Sequence, residues 1–180
     1  MTRCRLSTVG LAAIQVANYA GATTIATTRT YEKKKQLLAM GAAHVIVTDD
    51  ADLVKEIMRI TGGNGVRVVF DSIGGPNFAR LVSVLAPFGT ALIYGALADG
   101  PTSIPVLEMI GKLLTVKAHN IWLTSGDATR QKAAVEFILR GLETGALRPV
   151  IDRTFKFDDM VEVHRYMDSN GQFGKIVVTV

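Results

Sequence analysis

Hydrophobic and polar positions in this chain alternate between a helical and a strand period. "VGLAAIQVANYAGA" (9–22) sets Leu11, Ile14, Gln15 and Asn18 near helical spacing with alanines between, and closes at Gly21, a natural C-cap. "TTIATT" (23–28) is short and β-branched, which favours a strand. Helical character resumes in "EKKKQLLAMGA" (32–42) and stops at Gly41, and "HVIVT" (44–48) reads as the next strand. Asp49, Asp50 and Asp52 crowd the start of the helix "DLVKEIMRIT" (52–61), where acidic groups suit the positive end of the dipole. The pair Gly62-Gly63 breaks that helix.

"VRVVFDSIGG" (66–75) is an apolar run with Asp71, Ser72 and two glycines at its tip. "PNFARLVSVLAP" (76–87) predicts a helix with Pro76 in a permitted first turn, and "GTALIYGA" (89–96) predicts a buried strand. A short helix (104–111), a strand "LLTVKAHNIW" (113–122) and a long amphipathic helix over 127–147, capped by Asp127, follow. Strands alternating with helices of this length require right-handed crossovers and a parallel sheet covered on both faces. The prediction is an α/β fold with a doubly wound parallel sheet in three αβα layers. Residues 148–180 depart from it, with strands "PVIDRTF" and "GKIVVTV" around the helix "FDDMVEVHRYMDS". The expected division is a nucleotide-binding unit over 1–147 and a β-α-β tail over 148–180.

Composition narrows the function classes. The chain has 180 residues, 48% hydrophobic and 20% charged, with 17 glycines, which suits a folded α/β protein. A net charge of +4, scattered basic residues and only 7% aromatics argue against a nucleic-acid surface. No apolar stretch reaches the roughly 18 residues of a membrane span. The N-terminus "MTRCRLSTVG" lacks the apolar core of a signal peptide. The single Cys4 allows no internal disulfide, and His44, His119 and His164 lie too far apart for a zinc motif, so no metal is expected. A reducing cytoplasm is the default setting.

Candidate chemistry sits in the turns. Ser7, Thr8, Val9 and Gly10 open the first helix, whose backbone N–H groups and dipole suit a phosphate. Ser7 and Thr8 can donate hydroxyls to that phosphate or simply cap the helix, and Gly10 equally suits close packing of strand on helix. The full G-x-G-x-x-G pattern is absent, so the turn alone is a weak signal. Asp71 is read as an orienter of neighbouring amides. No nucleophile-base set and no G-x-S-x-G elbow is visible, and no catalytic residue is assigned. At the tip of the second strand a dinucleotide fold usually carries an acidic residue for the ribose. Here that place holds Arg29, followed by Lys33, Lys34 and Lys35. Cations in a helix's first turn oppose the dipole, so a bound anion would give them a role.

Taken in order and spacing, "STVGLAAIQVANYAGA", "EKKKQLLAMGAAHVIVTDD", "ITGGNGVRVVFDSIGG", "LAPFGTALIYGA" and "NGQFGKIVV" resemble the C-terminal part of the medium-chain dehydrogenase/reductase superfamily. The similarity is to its zinc-free quinone oxidoreductase branch, related to ζ-crystallin, and runs over residues 7–180. It implies an NADP-binding Rossmann domain with strand order 3-2-1-4-5-6, and reduction of a small quinone or enone by hydride transfer. In the family an N-terminal catalytic domain completes the cleft. The resemblance places Arg29 and Lys33 around the adenosine 2′-phosphate, Thr48 at the adenine, and Ser72 on the adenosine and ribose side. It places Tyr94, Gly95 and Ala96 along the nicotinamide, and Lys175 near the cleft. It also implies a homodimer joined along strand 113–122. The family's first strand would fall mostly before Met1, and "TRCR" makes a poor buried strand. A fragment, inactive by itself, is therefore expected. Two other readings are a non-catalytic nucleotide-binding or dimerising domain and an S-adenosylmethionine methyltransferase. The latter wants an acidic residue after the second strand and a GxGxG turn, and neither is present.

Overall fold

The computed structural model describes the backbone of Thr2–Arg3 and residues 8–169 and 171–180. Its elements run β1 (Thr2–Arg3), α1 (Thr8–Tyr19), β2 (Ile25–Thr28), α2 (Tyr31–Ala39), β3 (His44–Val47) and α3 (Leu53–Ile60). Then come β4 (Val66–Asp71), α4 (Phe78–Ser83), β5 (Leu85–Ile93), α5 (Val106–Lys112) and β6 (Thr115–Ala118). The chain ends with α6 (Trp122–Ser125), α7 (Ala128–Glu143), β7 (Ile151–Lys156), α8 (Met160–Asp168) and β8 (Lys175–Thr179).

The first six strands form one parallel sheet in the order β3-β2-β1-β4-β5-β6. Successive side chains of a strand point to opposite faces, so each interior strand feeds two cores. On one face Ile25, Ile46, Val69 and Ala91 meet Ile57 of α3 and Phe78 and Leu81 of α4. On the other, Ala26 and Val45 meet Leu11 and Ile14 of α1 and Leu37 of α2. These are the three layers that the alternation of periods predicts.

Two local differences from the sequence pattern have physical causes. The helix expected over 76–87 ends at Ser83, and the chain is already extended at Leu85, which pairs with Val66. Gly65, at φ +76°, permits this, because a Cβ there would lie 2.5 Å from the carbonyl oxygen of Val84. The strand expected over 113–122 narrows to Thr115–Ala118. Leu113 before it adopts a left-handed φ of 52°, and beyond it Asn120 accepts a hydrogen bond from the Leu123 amide at 3.2 Å as the short α6 starts. The first strand is truncated, as the sequence leads one to expect. Thr2–Arg3 hold the central slot, pairing with Ala26–Thr27 on one side and Phe70–Asp71 on the other. Beside the starts of β2 and β4 lies an apolar cavity of about 870 Å³, bordered by Ile25, Val66 and the alanines Ala12, Ala13 and Ala17 of α1.

The tail forms a two-stranded parallel sheet, β7 beside β8, with α8 as its crossover. Within it, the Tyr166 hydroxyl donates to Asp152 at 2.7 Å and the Arg153 guanidinium lies over the Tyr166 ring at 4.0 Å. Gln15 of α1 bonds the backbone of Arg148, and Phe173 and Val150 pack on the α1–α2 core, so the tail is fastened to the main sheet.

Candidate functional site

In an open parallel sheet, ligands bind outside the carboxyl ends of the strands near the point where strand order reverses. Here that point lies between β1 and β4. The loops after β2, β3, β4 and β5 supply the candidate residues.

The tips of β2 and β3 are tied together. Thr48 donates its backbone amide to the carbonyl of Thr28 at 2.8 Å and its hydroxyl to the same oxygen at 3.2 Å. Arg29 follows directly and is exposed, and among the described residues its guanidinium makes no hydrogen bond or ion pair. Thr30, the N-cap of α2, is extended but makes no side-chain capping bond. Lys33 lies in the first turn of that helix, half-buried. Arg29 and Thr48 border one cavity of about 250 Å³, together with Asp49, Asn77 and Arg80.

Arg80 comes from α4 and donates to Asp52 at 2.9 Å. The other carboxylate oxygen of Asp52 accepts the Lys55 amide at 3.0 Å, capping α3. That amide first, and the Arg80 charge with it, holds the Asp52 carboxyl below its usual value.

At the β4 tip Asp71 is fully buried, and one of its oxygens accepts the amides of Ile73 at 3.2 Å and Gly74 at 2.6 Å. It thus orients backbone, as its sequence context suggests. Ser72 is buried, and its carbonyl accepts the Leu97 amide at 3.3 Å. Gly95 lies so close that a Cβ would stand 2.6 Å from the Ser72 oxygen. Gly95 therefore has a packing reason of its own. The Tyr94 ring stacks on Phe70 with centroids 4.1 Å apart, and Ala96 is exposed.

Thr8 and Lys175 fall elsewhere. They border a separate cavity of about 290 Å³ whose floor is apolar, with Leu11, Ile138 and Leu147. Val9 and Gly10 begin α1, with Val9 exposed and Gly10 buried, while Ser7 lies outside the described residues. The expected residues thus form three groups, Arg29–Thr48, Ser72–Tyr94–Gly95 and Thr8–Lys175. Arg80 and Asn77 belong to the first group, and nothing in the sequence marks them, because they reach it across the strand order from α4. Among the described residues no cluster of three or more His, Cys, Asp or Glu could hold a metal.

The family described as zinc-binding dehydrogenase matches residues 8–140, well over half of the chain, and the chain belongs to it. A 2-haloacrylate reductase of Burkholderia sp is 28% identical over 164 residues, covering 90% of this chain and 49% of that protein. The solved structure of Escherichia coli quinone oxidoreductase complexed with NADPH superposes with a TM-score of 0.86 at 25% identity, over 99% of this chain and 56% of that one. An NAD-dependent alcohol dehydrogenase structure superposes at 0.85 with 29% identity, over 99% of this chain and 50% of that one. The chain therefore spans about half the length of these relatives. Its sheet is the Rossmann-type cofactor-binding fold of the medium-chain dehydrogenase/reductase superfamily.

Proposed function

We propose that this member of the zinc-binding dehydrogenase family is the cofactor-binding portion of a reductase that passes hydride from NADPH to a quinone or activated alkene. The observation that carries the reading is Arg29. It is a cation at the tip of β2 with no hydrogen-bond or ion-pair partner among the described residues, sharing a cavity with Thr48, beside a helix start with no side-chain cap. A carboxylate at that tip would accept from a ribose hydroxyl and repel a 2′-phosphate, whereas a guanidinium attracts one. The residues present fit a dinucleotide. Arg29 and Lys33 hold its 2′-phosphate and Thr48 borders its adenine. The start of α1 from Thr8 to Gly10 receives the pyrophosphate, Ser72 lines the ribose, and the backbone from Tyr94 through Gly95 to Ala96 flanks the nicotinamide. Lys175 stands at the mouth of the neighbouring cavity. The cofactor supplies the hydride and the chain supplies its position.

Residues 1–147 act as the nucleotide-binding unit, while 148–180 lean toward a catalytic domain that brings the substrate. Hydride transfer needs the acceptor held against the nicotinamide. The 180-residue chain by itself therefore binds cofactor and turns over negligibly. β6 is a sheet edge, flanked by exposed Leu107, Ile110, Leu113 and Trp122, and it joins two copies in a homodimer. Among the described residues no helix is long and apolar enough to cross a membrane, and the proposed setting is the cytoplasm.

The experiment is a fluorescence titration of the chain with NADPH, followed by an assay of NADPH oxidation with a simple quinone. Saturable binding without turnover supports the reading. Robust quinone-dependent oxidation refutes the claim that this portion is incomplete for chemistry. Absence of binding refutes the site.

A further inference from the structure

The cavity beside Arg29 has a second guanidinium on its wall, that of Arg80, which arrives from α4 rather than from the β2–α2 turn. One of its nitrogens donates to Asp52 at 2.9 Å, and both side chains are about half-exposed, at 48% and 45%. Solvent and a solute can therefore reach the pair. Among the described residues the remaining guanidinium donors of Arg80 have no hydrogen-bond partner. Among the described residues that line this cavity Asp49 is the one carboxylate, and Asp52, outside the lining, is occupied by Arg80 and by the Lys55 amide.

We infer that Arg80 is a second specificity-determining residue of this cavity, reading the adenosine 2′-phosphate opposite Arg29, with Asp52 as the counter-ion that holds it and moderates its pull. The inference rests on the nucleotide reading above and adds to it. A guanidinium presents several donors in a fixed fork, so one edge can stay on Asp52 while another meets a phosphate oxygen. The arrangement makes an unusual demand, because removing the negative charge of Asp52 should strengthen phosphate binding rather than weaken it.

The test uses the 180-residue chain and two probes, 2′,5′-ADP and 5′-AMP, which differ only in the 2′-phosphate. The readout is the ratio of their affinities by calorimetry. Arg80→Ala should lower the preference for 2′,5′-ADP about threefold to tenfold, and Arg80→Lys should restore part of it. Asp52→Asn keeps an N-cap residue at α3, so the helix is preserved, and should raise the preference at least about twofold. Equal losses for both probes in Arg80→Ala would overturn the inference, as would a ratio that stays or falls in Asp52→Asn. A parent without preference for 2′,5′-ADP sinks the cofactor reading and this inference together. A parent whose preference collapses in Arg29→Ala but survives in Arg80→Ala sinks only this one.

Discussion

Gln15 and Arg148, 133 residues apart, are joined by two hydrogen bonds. The Gln15 amide nitrogen donates to the Arg148 carbonyl at 3.0 Å, and its oxygen accepts the Arg148 amide at 2.6 Å. One side chain thus imitates a neighbouring strand and fixes where the tail leaves the main sheet.

Gln15→Leu keeps the volume and removes both bonds, leaving two backbone groups of Arg148 without a protein partner. Urea unfolding should show a loss of about 1–3 kcal/mol, and hydrogen exchange at the Lys175 amide, now bonded to Val150 at 2.7 Å, should quicken. Unchanged stability together with unchanged exchange would mean that the tail is held by its apolar contacts alone.

Gly95 offers a packing test. A methyl group there meets the Ser72 carbonyl oxygen at 2.6 Å, so Gly95→Ala must push the tips of β4 and β5 apart. The expected cost is about 1–3 kcal/mol in thermal unfolding. Gly111→Ala is the control, since a Cβ there meets nothing within 4 Å inside a helix, and it should be neutral or slightly stabilising.

Much of this was legible in the sequence, and the misreadings are specific. Helix stripes and strand runs are local, so α1, α2, α3 and the strands between them follow from spacing. "LVSVLAP" (81–87) is apolar except for Ser83 across the boundary between α4 and β5, so no change of period marks Val84 as the break. The extent of β6 depends on a left-handed Leu113 and on Asn120 accepting the Leu123 amide, neither of which hydrophobicity reports. The site was legible only residue by residue. Arg29 stood out as a cation where an acid is usual, but the cavity it shares with Arg80 is made by crossover topology. The Asp52–Arg80 pair spans 28 residues and has no local signature.

The edge of β6 should carry the dimer. His119 donates its amide to Ile93 on β5 at 2.9 Å, and amides alternate along a strand, so that of Ala118 faces the open edge. Ala118→Pro removes that donor at an exposed position, with little side-chain packing to lose. Sedimentation should show a dimer for the parent at micromolar concentration and a monomer for the variant. A monomeric parent contradicts the proposal.

The Asp52 carboxyl titrates below its ordinary value, chiefly because the Lys55 amide bonds its charged form, with Arg80 contributing. A depressed folded-state value means that the stability this group lends is present above the ordinary carboxylate range. It is lost as the pH falls through the folded value. An NMR titration of Asp52 in Arg80→Ala should recover only part of the depression. Full return to the ordinary value would show that the ion pair, not the helix cap, sets it.

The central claim is that Arg29 makes this fold an NADPH site, and calorimetric titration of NADPH and NADH into the parent and Arg29→Ala tests it most directly. Hydrogen bonds to charged groups are worth about 1.5–3 kcal/mol, so losing Arg29 should weaken NADPH by roughly tenfold to a hundredfold. The parent should prefer NADPH, and Arg29→Ala should lose that preference while NADH binding hardly changes. Equal affinities of the parent for the two cofactors would contradict the account.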